Sequence, residues 1–99
     1  MTPLTDIIEA LRALKPVLRE RYGVCAMTVF GSRARNQGSE NSDLDLLVDF
    51  EPGARPTLFS LARMDALLED SLGLKVDTVP RESLNPRYRE LIQSDLVQV

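Results

Sequence analysis

The 99-residue chain is 43% hydrophobic and 27% charged, a balance that excludes a disordered segment and leaves room for one modest core but not for a second domain or a deep, enclosed substrate chamber. Twelve Lys and Arg against fifteen Asp and Glu give a net charge of −3, which lacks the basic footprint of a nucleic-acid binder. With no histidine and only Cys25, histidine-based triads, the usual zinc centres and an internal disulfide are excluded as well.

Leu4, Ile7, Ile8, Leu11, Leu14 and Leu18 recur at helical spacing, with Thr5 or Thr2 as the expected cap and Gly23 as the stop. Pro16 falls inside this pattern and implies a kink or a new turn. Val24 to Phe30, short, apolar and bounded by Gly23 and Gly31, reads as a buried strand in which Cys25 is an inert core residue. Gly31-Ser32-Arg33-Ala34-Arg35 then turns into a short helix, and 37–42 form a polar loop.

From Asp43 to Phe50 the residues alternate as in a strand. Asp43 and Asp45 share one face, while Leu44, Leu46, Val48 and Phe50 share the other. Asp49 has the parity of the two acids but sits near the strand end and reads as a solvated carboxylate. After a Pro- and Gly-containing loop over 51–56, Leu58 to Leu72 form an amphipathic helix capped by Thr57 and closed at Gly73. Lys75 to Val79 is a third strand that Pro80 stops, Asn85-Pro86 opens a last helix through Leu91 and Ile92, and Leu96 to Val99 is a short terminal strand. Helices interleaved with strands imply an α/β fold, a small mixed sheet of three or four strands packed with helices, spanning 1–99 as a single domain. No stretch approaches the ~20 apolar residues of a membrane span, and the first residues lack the basic and apolar regions of a signal peptide. A cytoplasmic chain is expected.

The residues that carry chemistry are concentrated in 31–45. Gly31 lets a phosphate approach the backbone where strand turns into helix, and Ser32 with the free N–H groups of that helix start makes an anion site. Arg33 and Arg35 add guanidinium groups suited to phosphate. Asp43 and Asp45, two apart on one strand face, can share hard cations such as Mg²⁺. A pair of such ions needs a further carboxylate, and Asp77, mid-strand between Val76 and Thr78, supplies it. Phosphate cradle plus three carboxylates points to metal-assisted nucleotidyl or phosphoryl transfer. Outside these three aspartates, acidic and basic residues balance at twelve each.

With Ser32 and Asp43 separated by ten residues and followed by Asp43-Leu44-Asp45, the chain resembles the DNA polymerase beta-like nucleotidyltransferase superfamily. The match is similar in particular to the minimal nucleotidyltransferases (MNT), the antitoxin half of HEPN/MNT toxin–antitoxin pairs. Ala34-Arg35, the run Ser42 to Val48, the late acid Asp77 and the tail from Asn85-Pro86 carry that likeness. Asn36 departs from the glycine usual in that branch, yet it also accepts left-handed backbone. The resemblance implies a nucleotidyltransferase-like fold and Mg²⁺-dependent transfer of AMP from ATP to a tyrosine of a HEPN-type RNase toxin, which is thereby silenced. A second reading, an antitoxin that neutralises the toxin by binding without catalysis, stays open beside it.

Overall fold

The computed structural model describes residues 3–31, 34, 43–84, 86 and 96–99. Helix α1 (Leu4–Tyr22) leads into strand β1 (Val24–Phe30), then β2 (Leu44–Phe50), α2 (Leu58–Leu72) and β3 (Val76–Pro80). A single 3₁₀ turn, Arg81–Ser83, follows β3, and β4 (Val97–Gln98) comes last. The sheet has four strands in the order β3-β2-β1-β4. β1 is antiparallel to β2 and to β4, whereas β2 and β3 run parallel. A parallel pair cannot be joined by a tight turn, and α2 is the crossover that joins this one. The sheet is mixed, as the alternation of elements implied, and of the three or four strands expected it has four. The short helix expected after Gly31 and the last helix from Asn85 lie outside the described residues, apart from Ala34 and Pro86.

Helix α1 begins one residue after Pro3, whose extended backbone (φ −63°, ψ 148°) carries no capping side chain. The carbonyl of Pro3 instead accepts the N–H groups of Asp6 and Ile7 at 3.1 and 3.2 Å, so Pro3 holds the cap position and Thr5 lies inside the helix, while Thr2 is outside the described residues. Pro16 starts no new turn, because the helix runs unbroken to Tyr22. Leu11 and Leu18, on either side of Pro16, are both fully buried, and that packing outweighs one missing backbone hydrogen bond. Helix α2 starts where expected. Thr57 Oγ1 accepts from the Ser60 N–H and Ser60 Oγ from the Thr57 N–H, a reciprocal capping box that satisfies two orphan donors.

The core lies on one face of the sheet, where Ile7, Leu11 and Leu18 of α1 and Met64 and Leu68 of α2 meet Val24, Met27, Val29, Leu44, Leu46, Val48 and Val76. In β2 the inward residues are the even ones, as the alternation requires. In β1 the phase changes, from Val24 to Met27 and Val29, because the pairing register slips between Val24 and Ala26. Cys25 is the extra residue of this bulge and is exposed, which corrects its reading as a core residue. The bulge turns Thr28 and Phe30 to the other face of the sheet, where they pair in register with Leu47 and Asp45. Among the described residues no helix is long and apolar enough to cross a membrane.

Leu46→Ala, which opens a cavity at a fully buried position, is expected to cost about 2–5 kcal/mol, against about 1 kcal/mol for Thr57→Ala at the exposed cap. Urea denaturation of the two variants checks the order. Equal losses would contradict the placement of the core.

Candidate functional site

The face of the sheet turned away from α1 and α2 carries the acids. Asp45 is central on it. Its register partner in β1 is Phe30, and its register partner in the parallel strand β3 is Asp77, so two carboxylates stand side by side on neighbouring strands. Asp43, just ahead of β2, adds a third negative charge. Asp43 and Asp77 are exposed and Asp45 is half-buried. Burial first, then the charges of Asp77 and Asp43, push the Asp45 carboxyl above its ordinary range.

Gly31 shows why this corner holds no larger residue. It closes β1 with φ +77°, a left-handed conformation, and a Cβ built there would strike the carboxylate oxygen of Asp45 and stand 3.2 Å from its Cγ. The space a methyl group would fill is occupied by the acid. The Ala34 N–H donates to the Gly31 carbonyl at 3.1 Å, so the chain turns at once after β1. The sequence motif thus brings Gly31, Asp43, Asp45 and Asp77 to one end of one sheet face. Ser32, Arg33 and Arg35 lie outside the described residues.

Oxygen donors of this kind suit a hard divalent cation. As the side chains stand, no set of three acidic or thiol groups among the described residues is arranged to hold an ion. Backbone register brings the carboxylates to one face, and rotation of the exposed Asp43 and Asp77 side chains is the adjustment that a cation would require. A cation there would offset the burial and the neighbouring charges of Asp77 and Asp43 that together raise Asp45, so the residues fit such a group.

Two features of this face and its reverse were not legible in the motif. Asp49 shares parity with Asp45 but is not a solvated carboxylate. Its Oδ1 accepts from Arg81 Nε at 2.8 Å, and Arg81 Nη2 also lies 3.3 Å from Thr28 Oγ1, so one guanidinium from beyond β3 spans to β2 and β1. Behind β3, the Thr78 hydroxyl donates to Asp65 of α2, and the Val76 N–H donates to Glu69 Oε2 at 2.9 Å. Burial, opposed in part by the Thr78 hydrogen bond, raises the Asp65 carboxyl too. No spacing in the sequence couples Arg81 to Asp49, 32 residues away. For Asp65 and Glu69 a signal existed, since both fall within the apolar periodicity of α2.

The nucleotidyltransferase domain family matches residues 11–98 of the chain. The protein adenylyltransferase MntA of Thermococcus cleftensis is 40% identical over 99 residues, covering 100% of this chain and 98% of that protein. A solved structure described as a putative minimal nucleotidyltransferase superposes with a TM-score of 0.77 at 40% identity. It covers 99% of this chain and 97% of that one. The fold is also shared, at 19% identity and a TM-score of 0.60, with a complex of tri-AMPylated Shewanella oneidensis HEPN toxin and MNT antitoxin, over 97% of this chain and 67% of that one.

Because the Asp45 carboxyl is raised in the folded chain, its favourable share of stability is present below the ordinary value of 3.8 and is lost as pH rises through the raised value. In metal-free protein, Asp45→Asn is therefore expected to become progressively more stable than wild type as pH climbs from about 4 towards 7. Asp65 shifts in the same direction in both proteins and cancels in the difference. Urea midpoints across this range measure it, and a difference independent of pH would contradict the burial of Asp45 beside Asp77 and Asp43.

Proposed function

We propose, because the chain belongs to the nucleotidyltransferase domain family, that it is an antitoxin which transfers AMP from ATP to a tyrosine of a HEPN-type RNase toxin and so silences it. The observation that carries this reading is the register of Asp45 against Asp77 beside Gly31, with Asp43 two residues before Asp45. The 40% identity to a protein adenylyltransferase over the whole chain supports AMP as the transferred group, and the shared fold of an MNT antitoxin bound to an AMPylated HEPN toxin supports the partner.

In this reading Asp43, Asp45 and Asp77 hold Mg²⁺, two ions in the full site, and Gly31, Ser32, Arg33 and Arg35 cradle the triphosphate. Bound Mg²⁺ supplies neutralisation of the phosphate oxygens and of the leaving group. The tyrosine oxygen forms a bond to the α-phosphorus while the bond from that phosphorus to the bridging oxygen of the β-phosphate breaks, releasing pyrophosphate. Asp77, exposed at the rim, orients the phenol and takes up its proton. Asp45, held against Gly31 and half-buried, is the fixed member of the set. A chain of 99 residues has little means of enclosing a small acceptor, so the acceptor protein brings its own surface to hold the phenol within ~3–3.5 Å of the phosphorus. The chain acts as a single domain in the cytoplasm, where ATP and the toxin are both at hand.

Intact mass spectrometry of the HEPN toxin, after incubation with this protein, ATP and Mg²⁺, is expected to show an added mass of about 329 Da per modified tyrosine. Asp43→Ala and Asp77→Asn are expected to abolish the addition while keeping the fold. If Asp43→Ala still relieved toxicity fully at matched expression, neutralisation by binding alone would replace catalysis.

Ser32→Ala is expected to raise the Michaelis constant for ATP roughly tenfold, as for loss of a hydrogen bond to a charged group, with a smaller change in the maximal rate. An unchanged constant would remove Ser32 from the phosphate cradle.

A further inference from the structure

Among the described residues β3 is an edge strand, with β2 on one side and no strand on the other. Of its residues only Val76 is buried, so packing alone does little to fix where Asp77 stands. The outer edge is closed by α2 instead. The Lys75 carbonyl faces β2, where it accepts from the Leu44 N–H at 2.8 Å. The Val76 N–H belongs to the same trans peptide unit and therefore points the opposite way, to the free edge. There Glu69 Oε2 accepts it at 2.9 Å. One helical turn earlier on α2, Asp65 accepts from the Thr78 hydroxyl.

We propose, on the reading that Asp77 meets the acceptor phenol, that Asp65 and Glu69 are positioning residues for the transfer: they hold β3 on both sides of Asp77 and keep its carboxylate opposite Asp45. Side chains alternate along a strand, so 76 and 78 turn to α2 while 77 turns to the site. Asp65 and Glu69 lie behind the sheet and reach the site only through that strand. Burial raises the Asp65 carboxyl, and the charges of Glu69 and Asp77 add to the effect. The brace itself needs only an acceptor oxygen, which Asn and Gln also carry.

The split between binding and rate follows from the topology. Asp43, Asp45 and the phosphate cradle, on which ATP with Mg²⁺ rests in this reading, all lie outside β3, whereas Asp77 serves the attacking group. A slack edge strand therefore slows transfer and leaves ATP affinity in place. Misplacing a reacting group by about 1 Å costs on the order of 100-fold in rate, which sets the ceiling of the effect.

The test is AMP transfer to the HEPN toxin by Asp65→Ala, Glu69→Ala and Thr78→Val, the last of which removes the hydroxyl and keeps a β-branched strand residue. Each is expected to lower kcat about tenfold, with the KM for ATP within about twofold of wild type. Asp65→Asn and Glu69→Gln are expected to restore kcat to within about threefold, since each keeps an acceptor. Asp65→Ala combined with Thr78→Val is expected to lose no more than either alone, as partners in one bond do. Thr57→Ala, which weakens the start of α2 without touching β3, is expected to leave kcat unchanged. Independently of turnover, Mn²⁺ with a non-hydrolysable ATP analogue is expected to broaden the amide signals of Val76 to Thr78 less in Glu69→Ala than in wild type, relative to those of Asp43 to Leu46. If an alanine form does not fold, Thr78→Val reads the Asp65 bond from the strand side and Glu69→Leu replaces Glu69→Ala. Folded variants with wild-type kcat and wild-type broadening would overturn the proposal. Equal losses in the Ala and the Asn or Gln forms would overturn it as well, by assigning the effect to charge, and an equal loss in Thr57→Ala would do so by assigning it to general stability. A wild type that adds no AMP would overturn the transfer reading itself, whereas a wild type that transfers, matched by its variants, would overturn the brace alone.

Discussion

Asp45 and Asp77 stand opposite one another on adjacent parallel strands, and the candidate site depends on the register that holds them there. A parallel pair requires a crossover, which α2 supplies. α2 in turn ties itself to β3 from behind, through Glu69 to the Val76 N–H and Asp65 to the Thr78 hydroxyl. These bonds flank Asp77 on both sides in sequence. The register that opposes the two carboxylates is thus held by backbone pairing and by side chains of the helix behind it.

Comparison of Asp45 with Asp49 separates a site from a structural ion pair. Both lie on β2 with the same parity. Asp49 faces a cation, Arg81, and stitches three strands together at one end of the sheet. Asp45 faces a second acid and, through Gly31, a turn that leaves no room for a side chain. Among the described residues Asp49 has a cation beside it and Asp45 has none, which is the environment expected of a group that meets a ligand of opposite sign. That inference draws on the environment of each group, since residue type and spacing are shared.

Much of this was legible in the sequence where local chemistry decides structure. Gly23 and Gly31 bracket β1 at its true limits, Thr57 and Gly73 bracket α2, and the alternation from Leu44 to Phe50 assigns the inward face of β2 correctly. Asp45 has the parity expected of it, opposite to Leu44 and Leu46, and Asp77 is its register partner on β3. What was not legible depends on partners distant in the chain. The bulge at Cys25 breaks the parity of β1, and nothing local announces it, so a residue read as core is exposed. Asp49 looked solvated because its partner arrives from beyond β3. Pro16 looked disruptive because its local cost is visible in the sequence, while the packing of Leu11 and Leu18 that offsets it is not.

The central claim is that the carboxylates at this end of the sheet form a divalent-cation site. The most direct measurement is titration of the ¹⁵N-labelled protein with Mn²⁺ in the presence of a non-hydrolysable ATP analogue, following paramagnetic broadening of backbone amide signals. Broadening that begins at Gly31, Asp43 to Leu46 and Val76 to Thr78, and leaves Asp49 to Glu51 sharp until later, is the result this account requires. Broadening centred on Asp49 and Arg81, or spread evenly over the acidic surface, would contradict it.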